Sequence, residues 1–308
     1  MKSRTILQMV ALSVLSLFLC LSDSTGALCE APSEFVAAGK DGYLFYTRQD
    51  DGDPVGCYQG TNLYSREELQ AFKDNCMAQT DVLRQEGMEL IILIVPDKGR
   101  IYSEYMPDQY GLPPEEYRAL QVYRCLKEET DLIVVYPYDE LMQAKASLGV
   151  PLFNKTDTHW NAVGAYVGSA ALLRETGNSL PDLSDEGITV IKGEPVAGDL
   201  AEMLGLTGKP DFDYVVQGYD THGMEALAWE FTGVFVFHSY DSDPRKVYVI
   251  RDSFASHLAP YVGSRFQDTY WRHISTYTWE DLADQNPDIV IYETAERYLD
   301  HLKTFSFR

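Results

Sequence analysis

Four short runs of apolar residues indicate that the chain is an α/β protein. The runs cover residues Leu90–Val95, Leu132–Tyr136, Val247–Ile250 and Ile289–Tyr292. Each run is continuously hydrophobic rather than alternating, which is typical of strands buried on both faces of a parallel sheet. We therefore predict a mainly parallel sheet that contains these four strands.

Helical patterns lie between the predicted strands. Ser65, with Glu68 three residues later, predicts a helix that starts with a capping box. Two further helices are predicted over residues 115–129 and 161–172. Strands that alternate with helices indicate a three-layer α/β/α sandwich. Residues 177–237 are rich in Gly, Asp and Thr, and we expect there either a β-rich insertion or a long irregular segment.

The first residues differ from the rest of the chain. Lys2 and Arg4 precede an apolar run over residues 6–21, and small residues follow it. This is the pattern of an export signal. Because the apolar run is longer than in most signals, an uncleaved membrane anchor is the alternative. We predict that residues 1–27 are a signal peptide or N-terminal anchor and that residues 28–308 form one extracytoplasmic domain.

Composition and charge exclude several classes of partner. A chain of 308 residues with 45% hydrophobic residues can bury a sizeable core. The 47 acidic and 25 basic residues give a net charge of −22, which disfavours nucleic acid and anionic lipid as partners. The sequence contains no Walker loop, no GxGxxG after a strand and no zinc-hydrolase spacing. We therefore expect neither a cofactor nor a metal ion.

Four cysteines, Cys29, Cys57, Cys76 and Cys125, would remain after signal cleavage. In an exported protein they could form one or two disulfides among three possible pairings. We predict structural bridges without assigning the pairing, and no role for cysteine in catalysis.

Two segments could carry catalytic residues. In residues 155–161, Asp157 precedes His159 by two positions, so its carboxylate can hold one imidazole nitrogen while the other takes a proton. In residues 247–254, Ser253 stands at a predicted strand-to-helix turn, where free backbone N–H groups could stabilise an oxyanion. Helix capping is the alternative interpretation of both segments.

Charged residues at predicted strand ends are candidates for substrate binding. Lys98 and Arg100 follow the first predicted strand, and Arg251 directly precedes the Ser253 turn. Ligands of α/β folds bind beyond the carboxyl ends of the strands, although a solvated loop is the alternative for Lys98 and Arg100. His257 is a rival to His159 as the base, but no acid stands beside it in the sequence to orient it.

The motifs together resemble the SGNH hydrolase-like domain of the AlgX/AlgJ alginate O-acetyltransferases, and more closely the related Gram-positive DHHW proteins. The resemblance rests on six segments in order: residues 39–45 (GKDGYLF), 95–98 (VPDK) with 101–102 (IY), 156–160 (TDTHW) with 164–165 (GA), 198–201 (GDLA) with 204–205 (LG), 251–254 (RDSF), and 287–293 (PDIVIYE) with 296–298 (ERY). Thr158 stands where the name DHHW expects a second histidine. We expect little effect from this difference, because the intervening residue need not touch the substrate.

The resemblance implies an SGNH hydrolase-like fold with a catalytic triad of Ser253, His159 and Asp157. It also implies an exported protein that moves acetyl groups onto a polysaccharide, often with a membrane-bound O-acyltransferase as the acetyl supplier. We predict a polysaccharide O-acetyltransferase, with an acetylesterase as second choice. We expect an acceptor other than alginate, since no alginate-binding module follows residue 308. The alternative class is a non-catalytic carbohydrate-binding or assembly protein on an SGNH-like scaffold.

Overall fold

The computed structural model describes residues 34–206, 211–230 and 233–308. The predicted signal peptide or anchor and Cys29 lie outside these residues. Within them, no helix combines the length and the apolar character that crossing a bilayer requires.

A seven-stranded sheet is the centre of the described fold. In space its strands follow the order β4, β3, β11, β9, β10, β8 and β7. The five strands from β4 to β10 are parallel to one another, and β8 and β7 continue the sheet antiparallel. The bounds are β3 (Glu89–Val95), β4 (Ile133–Val135), β7 (Glu225–Trp229), β8 (Phe235–His238), β9 (Asp243–Arg251), β10 (Phe266–His273) and β11 (Ile289–Ala295). The prediction of a mainly parallel sheet is confirmed, and the four predicted strands are the neighbours β4, β3, β11 and β9.

Helices cover both faces of the sheet. They are α1 (Pro54–Gln59), α2 (Arg66–Gln85), α3 (Lys98–Ile101), α4 (Arg118–Glu129), α5 (Tyr138–Leu148), α6 (Ala162–Glu175), α7 (Asp199–Met203), α8 (Ala259–Gly263) and α9 (Trp279–Gln285). Successive residues of β3 point to opposite faces. Ile91 and Leu93 therefore pack in one hydrophobic core with Leu172 of α6, whereas Ile92 packs in a second core with Phe72 of α2. This arrangement is the predicted three-layer α/β/α sandwich.

The helix starts follow local hydrogen bonding. Ser65 and Glu68 form the predicted capping box at α2, each side chain accepting from the other residue's backbone N–H. Asn161 caps α6 by accepting from the first free N–H groups of the helix. The helix expected after Ser253 is instead a 3-10 turn (Phe254–His257) followed by α8. Pro260 lacks an N–H and fits only the first turn of a helix, so a new helix starts beside it.

The described part of residues 177–237 is a β-rich insertion, which is one of the two alternatives predicted. Within it, β5 (Thr189–Val196) and β6 (Asp211–Gln217) pair antiparallel in a small sheet of their own. A second small sheet, β1 (Val36–Ala38) with β2 (Leu44–Tyr46), lies near the start of the described chain.

The predicted disulfides are wrong for the three cysteines that the structure describes. Cys57, Cys76 and Cys125 are buried free thiols. Each Sγ lies within 3.4–3.6 Å of a different backbone carbonyl, so the three side chains serve as small core residues in separate surroundings. Burial raises the pKa of Cys57 to about 11 and that of Cys76 to about 12, which keeps both as thiols.

Candidate active site

Two loop segments meet beyond the carboxyl ends of the parallel strands. We call residues 252–254 the Ser253 turn and residues 154–159 the His159 loop. Trp160, which follows the His159 loop, donates from Nε1 to the backbone carbonyl of Phe254 at 2.9 Å. This buried hydrogen bond fixes the two segments against each other.

Asp252 shapes the Ser253 turn. One of its carboxylate oxygens accepts from the backbone N–H of Phe254 at 2.8 Å, and the other accepts from that of Ala295 at the end of β11, also at 2.8 Å. Its own N–H donates to Glu293 of β11 at 2.8 Å. The turn is therefore tied to the neighbouring strand, while the side chain of Ser253 stays exposed.

The His159 loop has no regular secondary structure, and side chains from elsewhere hold its backbone. Nζ of Lys98, at the start of α3, donates to the carbonyls of Asn154, Lys155 and Asp157 at 3.2, 3.0 and 2.5 Å. On the other side, the first turn of α7 donates two backbone N–H groups to the carbonyl of Thr156 at 3.1 and 3.2 Å. The loop is thus held from two directions.

The structure brings the three predicted residues Ser253, His159 and Asp157 into one chain of hydrogen bonds. Nδ1 of His159 lies 2.7 Å from Oδ1 of Asp157, and Nε2 lies 2.7 Å from Oγ of Ser253. The bond to Asp157 places a proton on Nδ1, which leaves Nε2 to accept from the serine hydroxyl. Asn161, and not Thr156, Asp157 or Thr158, caps α6. In the second segment Asp252 makes the capping contact, since its carboxylate accepts from the N–H of Phe254, and Ser253 makes no capping hydrogen bond.

Electrostatics support the same protonation pattern. Burial alone would raise the pKa of Asp157, but the hydrogen bonds and the charge of His159 hold it well below its usual range. Burial alone would lower the pKa of His159, but the bond to Asp157 and the nearby charge of Asp199 raise it. A carboxylate that stays ionised beside an imidazole of raised pKa suits proton transfer from a hydroxyl group.

The backbone N–H of Ser253 makes no hydrogen bond with any described residue. The next N–H, of Phe254, donates to Asp252 instead. A free N–H next to the serine hydroxyl meets the first requirement for binding an oxyanion.

The charged residues predicted to bind substrate are each about 4% exposed. The ammonium of Lys98 is held by the His159 loop, as described above. Arg100 donates to a backbone carbonyl at 2.8 Å and stacks over the ring of Tyr117 at 3.7 Å. Arg251 donates to two backbone carbonyls at 3.0 and 3.1 Å. The solvated-loop alternative is therefore wrong for Lys98 and Arg100, and substrate binding by the three side chains stays a prediction.

For two residues of the site, no function was predicted from the sequence. Asp199, the first residue of α7, contacts the His159 loop, and Arg297, from the segment after β11, forms a buried ion pair with Asp97 and lies over the ring of Phe254 at 5.1 Å. Both stand in segments that carried the family resemblance, which was the one signal available. Neither is near the catalytic candidates in sequence, so only the fold brings them to the site.

One group of side chains among the described residues has the spacing of a metal site. Ligand atoms of Asp157, His159 and Asp199 all lie within 4.8 Å of one another. Nδ1 of His159 and the carboxylate oxygens are already joined to one another and to backbone N–H groups. A metal ion there would have to break the bond between Asp157 and His159.

Comparison with known proteins places this chain in a family. The family model described as SGNH hydrolase-like domain, acetyltransferase AlgX, matches residues 36–226. The chain therefore belongs to the AlgX family of SGNH hydrolase-like acetyltransferase domains, as the sequence motifs predicted.

Individual relatives agree with this assignment. The probable alginate O-acetylase AlgJ of Azotobacter vinelandii is 27% identical over 288 residues, covering 83% of this chain and 72% of the relative. Among solved structures, the O-acetyltransferase domain of Pseudomonas putida AlgJ has a TM-score of 0.51 at 19% identity, covering 88% of this chain and 93% of that one. A DHHW family protein from Eubacterium siraeum has a TM-score of 0.56 at 15% identity, covering 89% and 99%. Both structural matches show the SGNH-like fold.

Proposed function

We propose that this protein is an exported O-acetyltransferase that modifies a polysaccharide through Ser253, His159 and Asp157. The observation that carries the proposal is the pair of 2.7 Å contacts that His159 makes, one with the hydroxyl and one with the carboxylate. The relative named as an alginate O-acetylase supports acetyl transfer to a polysaccharide. In this proposal residues 1–27 direct export and residues 28–308 form the catalytic domain.

The first half-reaction transfers an acetyl group from the donor to Ser253. Oγ of Ser253 attacks the carbonyl carbon of an acetyl donor while Nε2 of His159 takes the hydroxyl proton. The N–H of Ser253 donates to the oxyanion of the tetrahedral intermediate. When the intermediate collapses, the bond to the leaving group breaks, and that group leaves with the proton from His159. Acetyl-Ser253 remains.

The second half-reaction transfers the acetyl group from Ser253 to the acceptor. A sugar hydroxyl gives its proton to His159 and attacks the acetyl carbon, and Oγ of Ser253 then leaves with the proton held by His159. The products are an O-acetyl sugar and the free serine. Asp157 keeps the imidazole oriented and stabilises its protonated form in both halves. Attack by water in place of the sugar would give an acetylesterase, so exclusion of water from the acyl-enzyme decides between the two activities.

The proposed partners follow from this chemistry. The acceptor is a polysaccharide outside the cytoplasmic membrane, and a membrane-bound O-acyltransferase is the proposed source of acetyl groups. The resemblance to the AlgX/AlgJ family is what supports this supplier.

A direct experiment measures acetyl release from p-nitrophenyl acetate by the wild-type protein and by Ser253→Ala. We expect the variant to lose at least about 10³-fold in rate, because removing a triad nucleophile has effects of that order. Ser147→Ala, an exposed serine on α5, is the matched control and should keep the wild-type rate.

Equal rates for wild type and Ser253→Ala, with both proteins folded, would contradict the proposal and favour a carbohydrate-binding or assembly protein. If the serine is required, an oligosaccharide acceptor is added and its mass is followed. Acetylated oligosaccharide identifies a transferase, and acetate alone identifies an esterase.

A further inference from the structure

Asp199 is an acid beside the proposed triad that the mechanism above does not use. It lies on α7, and its carboxylate accepts from both the backbone N–H and the hydroxyl of Thr158, the N–H at 2.7 Å. Its own backbone N–H donates to Oδ2 of Asp157 at 3.2 Å. One residue thus contacts both the triad acid and the residue between the triad acid and the histidine.

The same carboxylate faces the histidine itself. Oδ2 of Asp199 lies 3.7 Å from Nδ1 of His159, on the side where Asp157 makes its shorter contact. The hydroxyl of Thr158 lies 3.2 Å from the same nitrogen. The side chains of His159 and Asp199 are only 17% and 12% exposed, so water screens their interaction weakly.

Gly198 allows Asp199 to come close to the His159 loop. A Cβ atom at Gly198 would lie 2.1 Å from the carbonyl oxygen of Thr156, far inside van der Waals contact. The glycine therefore lets α7 approach the His159 loop closely enough for Asp199 to reach Thr158. Since the loop has no regular secondary structure, these contacts and those of Lys98 determine where its backbone lies.

We infer that Asp199 is a positioning residue, which works through Thr158 to fix the His159 loop and adds a second negative charge behind the imidazole. This inference rests on the proposed function. It also assigns a role to the Thr158 side chain, since its hydroxyl adds a second bond to Asp199 beside that of the backbone N–H. Thr158 is then more than a spacer between Asp157 and His159.

Charged groups from several elements face His159, and each bears on its titration. They are Asp157 on the same loop, Asp199 on α7, Arg297 after β11 and His257 in the 3-10 turn after Ser253. The two acids raise the pKa of His159, whereas Arg297 lowers it. Removing the charge of Asp199 should therefore make His159 easier to deprotonate.

The first experiment compares wild type, Asp199→Asn and the control Glu202→Gln, an exposed acid on the same helix. Two-dimensional NMR titration of the His159 ring is the readout, and it does not depend on activity. We expect the midpoint of His159 to fall by about 0.5–1 pH unit in Asp199→Asn and to stay at the wild-type value in Glu202→Gln. The acid limb of the pH profile of kcat/KM should move in the same direction.

The second experiment separates positioning from charge. Thr158→Val removes the hydroxyl but keeps the charge of Asp199, so we expect kcat to fall by about 10–100-fold while the His159 midpoint stays near the wild-type value. Thr158→Ser restores the hydroxyl and should restore most of the rate. Circular dichroism establishes that each variant is folded.

The outcomes distinguish this inference from the proposed function. If Asp199→Asn behaves like Glu202→Gln in both the titration and the rate, the inference is wrong. A Thr158→Val protein with full activity would equally overturn the positioning role. If the wild-type protein has no acyl-transfer activity at all, the proposed function fails, and the titration still decides whether Asp199 acts on His159.

Discussion

Replacing Lys98 should reduce activity strongly while changing the stability of the protein little. The ammonium of Lys98 is 4% exposed and donates to three backbone carbonyls of the His159 loop, and no ion pair of its Nζ with a carboxylate occurs among the described residues. Burial lowers the pKa of Lys98 from 10.5 to about 8. At neutral pH the buried charge therefore costs about 3 kcal/mol relative to the unfolded chain.

Replacing Lys98 by Met has two opposing effects. It removes the cost of the buried charge, and it leaves three carbonyls without their donor, at about 1 kcal/mol or more each. The two effects nearly cancel at pH 7, so we expect the free energy of unfolding of Lys98→Met to lie within about 1–2 kcal/mol of wild type. Activity should fall by about 100-fold, because the loop that carries His159 is no longer held.

The pH dependence of the free energy of unfolding gives a second test of the buried charge of Lys98. Between pH 8 and 10.5 the unfolded chain keeps a proton on Lys98 that the folded protein has lost, so wild-type stability increases with pH in that window. The stability of wild type relative to Lys98→Met should therefore rise by about 2–3 kcal/mol between pH 7 and pH 10. Titrations of other groups are common to both proteins and cancel in the difference.

The measurement is urea unfolding of both proteins, followed by tryptophan fluorescence at several pH values. Lys192→Met, at an exposed lysine of β5, is the matched control for removing one positive charge. A difference that stays flat from pH 7 to 10 would refute the buried-charge argument. Full activity in Lys98→Met would refute the anchoring of the loop.

Two further substitutions test the supports of the site. Gly198→Ala should destabilise the protein by about 1–3 kcal/mol and reduce activity, because the new Cβ would lie 2.1 Å from the carbonyl oxygen of Thr156. Thermal unfolding measures the loss of stability. Gly99→Ala is the control and should be tolerated, because its new Cβ would lie 3.5 Å from its nearest neighbour. Burial and the charge of Asp252 raise the pKa of Glu293 far above its usual range. The raised pKa favours the neutral acid, so Glu293→Gln should change the free energy of unfolding by less than about 1 kcal/mol, whereas a loss of several kcal/mol would show that the carboxylate is charged.

The parallel part of the sheet could be predicted because its strands are buried on both faces. Such strands contain uninterrupted apolar runs, residues 90–95 in β3 and residues 289–292 in β11. In contrast, β10 places Phe266 and Trp271 in the core and polar residues between them, so it has no continuous apolar run. The short strand β7 is largely exposed, so it is not a strand buried on both faces. Only pairing with the rest of the sheet identifies these as strands.

The candidate site was predictable where its geometry is local. Asp157 and His159 stand two residues apart on one loop, and Ser253 follows a strand, so short-range rules place each of them. The partners of Lys98 and Arg100 could not be predicted, because they are backbone carbonyls. Every residue has one, so no residue type in the sequence marks those that are bound. Asp199 was missed for a related reason, since 40 residues separate it from His159 in the numbering of the chain.

Mass analysis of the protein after brief exposure to an activated acetyl ester tests the central claim most directly. The account predicts one added acetyl group in the wild-type protein, located by peptide mapping on Ser253 and released when an acceptor is added. Ser253→Ala should remain unmodified under the same conditions. An acetyl group found on another residue, or equal labelling of both proteins, would contradict the account.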